Sequence, residues 1–69
     1  MSHFDCGKRL CFLQDDKKIS SVQLSDRMDV TPQQLVRWRQ QPNLKIHTVE
    51  RICAGLGIGL AEFFTWPIE

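Results

Sequence analysis

No apolar run in the chain approaches the roughly 20 residues of a membrane span. The first residues also lack a signal-peptide pattern, so a cytoplasmic protein is expected. The three cysteines, Cys6, Cys11 and Cys53, are odd in number and show no CxxC spacing. That leaves neither a disulfide framework nor a zinc motif, and free thiols acting as small hydrophobes are the simpler reading. His3 and Cys6 have the spacing of two metal ligands, but no further ligands accompany them. No Ser-His-Asp or Cys-His arrangement, paired carboxylate site or glycine-rich phosphate loop can be assembled. Gly55, Gly57 and Gly59 follow no strand and read as a helix end with a turn. Catalysis, a cofactor and a bound metal are therefore not expected.

Charge of one sign is scarce too. Nine Lys+Arg stand against eight Asp+Glu, a net +1, whereas many nucleic-acid binders are much more basic. The distribution is less even than the total: Asp15 and Asp16 come early, while Arg37, Arg39 and Lys45 cluster later. With 69 residues, 42% hydrophobic and 25% charged, the chain suits one small globular domain spanning 1–69. A domain of this size buries only about 60% of its unfolded surface, close to the lower limit for folding alone. There is no internal repeat, low-complexity tract or alternating strand pattern.

What is present is helical punctuation. Asp5 is a candidate N-cap for a first helix ending near Gln14 or Asp16, with Cys6, Leu10 and Leu13 on its apolar face and Phe12 nearly opposite. A polar connection over Asp15–Lys18 follows. Ile19-Ser20-Ser21-Val22-Gln23 spells a capping box, Ser20 with Gln23, and a hydrophobic staple, Ile19 with Leu24. Leu24 and Met28 form the inner face of this second helix, and Ser25 is small where another helix must cross. Asp29 tolerates the left-handed conformation of a tight turn. Thr31-Pro32-Gln33-Gln34 starts a third helix, with threonine as N-cap, proline at the first helical position and Gln34 completing a second box. Leu35 and Trp38 face inward; Gln33, Val36, Arg37 and Gln40 face out. Gln41-Pro42-Asn43 stops the helix. Ile46, Val49, Ile52, Cys53 and Leu56 form the stripe of a fourth helix closed by Gly57, and Gly59 precedes a short fifth, Leu60 to about Phe64. The fold class is all-α, five helices, with a helix-turn-helix over about residues 20–40 and an apolar tail over 65–69.

From about Leu10 to Phe64 this pattern resembles the λ-repressor-like (Cro/XRE) helix-turn-helix family. The matching residues are Ile19-Ser20, Gln23-Leu24-Ser25, Met28-Asp29-Val30-Thr31, Leu35 and the closing Leu56-Gly57-Ile58-Gly59-Leu60. The resemblance implies a compact λ-repressor-like domain whose third helix enters the major groove of double-stranded DNA. Carried over by position, Thr31 approaches phosphate and base edges, Pro32, Gln33 and Arg37 stand where bases are read, and Ser21 begins the helix that crosses the backbone. Asn43 and Lys45 fall where phosphates are touched.

The chain departs from the family twice. The family often has glutamate at the position of Arg39 and arginine near Gln14, an internal ion pair that these residues cannot form. Arg39 is left to meet Asp15 or Asp16, or a phosphate, and the two-helix unit to be held to helix one mainly by packing. Pro32 replaces a frequent side-chain base reader, so specificity shifts toward Gln33 and Arg37, with Gln34 or Gln40 in support. Glutamine pairs bidentately with adenine and arginine with guanine, each worth about 1–3 kcal/mol of discrimination.

The expected function is a sequence-specific transcriptional regulator of Cro or small-repressor type. It would bind an inverted-repeat operator as a homodimer, since such modules pair across half-sites about 34 Å apart. Phe12, Phe64, Trp66 and Ile68 are the candidate dimer surface, against a tail that folds back over its own core. The alternative keeps the fold but acts through a protein partner, as an antitoxin or anti-repressor partner would. A third possibility is a metal or redox sensor using the cysteines.

Overall fold

The computed structural model describes residues 4–65. Five helices follow one another: α1 (Cys6–Lys17), α2 (Ser21–Met28), α3 (Pro32–Arg39), α4 (Ile46–Leu56) and α5 (Leu60–Phe64). Helix α2 packs on α3 and α4, α1 packs on α3, and α5 closes against α4. The all-α expectation holds.

The punctuation places the boundaries. The Asp5 carboxylate accepts from Lys8 N–H at 2.9 Å and opens α1, which runs slightly beyond the expected end and stops when Lys18 turns left-handed at φ 57°. At α2 both halves of the capping box form, with Gln23 N–H donating to Ser20 Oγ at 3.1 Å and Ser20 N–H to Gln23 Oε1 at 2.9 Å. Asp29 takes the left-handed turn at φ 58°. At α3 the Thr31 hydroxyl accepts from Gln34 N–H at 3.1 Å, but the reciprocal bond of the expected second box is absent among the described residues. Gly57, at φ 76°, ends α4 where a side chain would be strained.

The core gathers the inner faces: Leu10 and Leu13 from α1, Leu24 and Met28 from α2, Leu35 and Trp38 from α3, Val49, Ile52, Cys53 and Leu56 from α4, and Phe63 from α5. Burial raises the Cys53 thiol above its ordinary pKa, helped by Glu50 and then Glu62, so this cysteine is a packed hydrophobe. Ile46 departs from expectation. It is 57% exposed, whereas Leu44, just before the helix, packs against the core in its place. Phe4 packs beside α5; its ring lies 5.0 Å from that of Phe64 and 6.1 Å from that of Phe63.

Two close approaches fix where α3 and α2 sit. Cys6 and Gly7 donate their backbone N–H groups to the carbonyls of Pro42 and Gln41, at 2.8 and 2.9 Å. The chain leaving α3 thus satisfies donors that the start of α1 would otherwise leave open. Only glycine fits at position 7, since a Cβ there would lie 2.5 Å from the Arg39 carbonyl oxygen. Gly55 plays the same part between α4 and α2, where a Cβ would come within 2.8 Å of Met28 Cγ.

The C-terminal helix is held by a buried charge. Arg9 is 5% exposed, and its guanidinium donates to the carbonyls of Phe63 and Glu62 at 2.7 Å and of Thr65 at 3.2 Å. The Glu62 carbonyl also accepts the Thr65 N–H at 3.3 Å, while those of Phe63 and Thr65 lie where the helix ends, and a cation suits that end of the helix. The guanidinium also stands 5.4 Å from the Phe12 ring centre, a cation–π distance that covers part of this exposed aromatic. Lys17 and Glu62 add a surface ion pair at 3.9 Å.

Candidate nucleic-acid interface

The turn between α2 and α3 is built from inside. Ser25 is buried, its hydroxyl donating to the Val22 carbonyl at 2.9 Å, and its small side chain lets the helices approach. Val30 N–H returns to the Ser25 carbonyl at 3.0 Å and closes the turn. Leu35 and Trp38, three residues apart, are both buried and seat α3 in one rotation. The rotation leaves Pro32, Gln33, Val36, Arg37 and Gln40 exposed, while Gln34 is half-buried. Gln33, Arg37 and Gln40 recur at i, i+4 and i+7, so they share one stripe along the outside of the helix.

The electrostatics of this face differ from those of the whole chain. Between Asp29 and Glu50 there is no acid, but Arg37, Arg39 and Lys45 are present. Asn43 and Lys45 are exposed in the connection to α4. The N-terminal end of α3 adds the partial positive charge of its helix dipole. A nearly neutral chain thus carries cations but no acids along α3 and the connection after it.

Ser21 and Arg39 are placed differently. Arg39 is half-buried and turns back from the end of α3, its Nη1 donating to Ser21 Oγ at 2.9 Å and its Nε to Cys11 Sγ at 3.1 Å. Gln14, 5% exposed, sends its Nε2 to the Ile19 carbonyl at 3.1 Å and to the same Ser21 hydroxyl at 3.4 Å. Arg39 therefore meets neither Asp15 nor Asp16. The joint between α1 and the two-helix unit is polar as well as packed, because three helices meet at one hydroxyl. Gln14 Oε1 is left buried with no partner among the described residues. An open cleft of about 430 Å³ lies beside this joint and reaches Cys11, Gln14, Ser21 and Arg39.

A family model for the Cro/C1-type helix-turn-helix DNA-binding domain matches residues 10–69. The chain belongs to that family. No curated relative and no solved structure matches it significantly. The matched family is one of helix-turn-helix DNA-binding domains, and α2 and α3 are the helix-turn-helix of this chain.

Among the expected dimer residues of this Cro/C1-type domain, Phe12 and Phe64 are 47% and 42% exposed and lie on α1 and α5. Trp66 and Ile68 lie outside the described residues. No group of three or more His, Cys, Asp or Glu able to hold a metal occurs among the described residues, and no helix there is long and apolar enough to cross a membrane. Gly7 and Arg9 escaped the reading of the sequence; neither carries a local pattern, and each matters through a contact with a distant part of the chain.

Proposed function

We propose that the protein is a sequence-specific transcriptional regulator of Cro or small-repressor type that binds double-stranded DNA as a homodimer, with α3 in the major groove. The observation that carries this reading is the exposed Gln33–Arg37–Gln40 stripe on a helix whose rotation is set by buried Leu35 and Trp38. Gln33 and Arg37 read bases, with Gln34 and Gln40 in support, while Pro32 shapes the first turn against the groove. Thr31, Asn43 and Lys45 approach phosphates. Ser21 and Arg39, bonded to each other, serve the interface as one unit that sets the angle of α2 to α3 and offers charge to the backbone. The exposed Phe12 and Phe64, continued by Trp66 and Ile68, provide the two-fold contact that pairs recognition helices across an inverted repeat.

Selection of bound sequences from random duplex DNA tests this reading, with Arg37→Ala run in parallel. An enriched inverted repeat whose preference relaxes at one position in the variant supports it; no enrichment at moderate salt defeats it. A second reading, in which the fold acts through a protein partner such as a toxin or repressor, draws on the same exposed aromatics and the small net charge. Co-purification of a stoichiometric protein together with loss of salt-sensitive DNA retention would favour it.

A further inference from the structure

Val36 is the residue on the outer side of α3 that none of the preceding chemistry uses. It is 42% exposed and stands apart from the core, including the half-buried apolar residues packed around that core. Helix propensity does not explain it, because a β-branched residue is a poorer helix former than Gln, Lys or Ala. Burial does not explain it either. The other large apolar residues left exposed, Phe12, Val22, Ile46 and Phe64, lie on the other four helices. Position 36 follows Gln33 by three residues and precedes Arg37 by one, so its side chain borders the polar stripe.

The major groove presents one apolar group of its own, the 5-methyl of thymine. A valine suits it. In a helix its side chain is held in one preferred rotamer, so its methyl groups sit at a defined place and little freedom is lost on contact. A valine rewards a methyl group and gains nothing from the corresponding edge of cytosine.

We infer that Val36 is a specificity-determining residue that packs against a thymine 5-methyl group, beside the bases read by Gln33 and Arg37. The inference rests on the DNA-binding reading and adds to it a preference that hydrogen bonding does not provide. Exchange with 5-methylcytosine, which carries the same methyl group, should be partly tolerated at that position.

The test uses the duplex selected by the wild-type chain, with each thymine replaced in turn by uracil, which lacks only the methyl group. Wild type should lose affinity about fourfold at one position per half-site, the effect of one buried methyl group. Val36→Ala should lose a similar factor on the thymine duplex and become indifferent to uracil there. Alanine is a better helix former, so the variant keeps its fold. Wild-type affinity unchanged by every uracil replacement would overturn the inference while leaving DNA reading intact. So would a uracil penalty that Val36→Ala retains in full. A selection that enriches no sequence defeats the DNA reading and this inference together, and so separates the two failures.

Discussion

Arg39, in the last turn of α3, donates to the hydroxyl of Ser21, the first residue of α2, at 2.9 Å. The bond ties the end of the helix-turn-helix to its beginning. Arg39→Met keeps much of the volume and loses the bonds to Ser21 and Cys11. Stability should fall by about 1–2 kcal/mol, the usual range for a hydrogen bond to a charged group with partial exposure. DNA affinity should fall evenly across sequences. Arg37→Ala, at an exposed position, should leave urea unfolding almost unchanged and alter preference at one base pair instead. Equal and uniform effects of the two substitutions would refute this division of labour.

Gly7→Ala should be among the most damaging small substitutions in the chain. The added methyl meets the carbonyls of Arg39 and Gln41, backbone atoms that cannot swing aside, and forces apart the two hydrogen bonds that tie α1 to the chain leaving α3. A loss of about 2 kcal/mol or more is expected, on the scale of overpacked cores. An unfolding midpoint equal to wild type would show that this approach is looser than described.

Arg9→Lys should fail to replace arginine although the charge is kept. One ammonium cannot reach three carbonyls in the planar fork that Arg9 presents to Glu62, Phe63 and Thr65. A destabilisation of about 2 kcal/mol is expected, with α5 losing amide-exchange protection before the other helices. If α5 remains as protected as α4 in the variant, the arginine is not what holds it.

The three thiols should separate by reactivity. Cys11 is half-buried beside an open cleft and accepts a guanidinium N–H, whereas Cys6 and Cys53 are buried. Mass-resolved labelling near pH 8 should therefore modify Cys11 first. Cys53, whose pKa is raised by burial and nearby glutamates, should react last. The sign for stability follows: the unfolded chain ionises this thiol more readily than the folded one, so stability is complete below the ordinary thiol pKa and declines as pH rises through the raised value. Cys53→Ala should flatten that alkaline decline.

Much of the fold is legible in the sequence because its boundaries are written locally. Ser20 with Gln23, Thr31 before Pro32, Asp29 and Gly57 each signal a helix end within four residues of chain, and the structure puts all four to that use. The two-helix unit and its exposed stripe follow from those signals and from the spacing of Leu35 and Trp38. The contacts that join distant segments were not legible. Arg9 pairs with carbonyls more than fifty residues away, and Arg39 finds Cys11 and Ser21 instead of a nearby aspartate. Ile46 fits the apolar period of α4 yet emerges into solvent, because periodicity gives the face of a helix but not how far along it the neighbours extend.

The hydroxyl shared by Gln14 and Arg39 also limits what can replace either residue alone. Arginine at position 14 alone would set two guanidiniums against one serine, and glutamate at position 39 alone would bring a carboxylate toward a thiol with no cation beside it. Either single substitution should therefore be less stable than the wild type, whereas the two together can form an ion pair across the same joint. The two positions are energetically coupled through one serine, so the effect of changing either depends on what stands at the other.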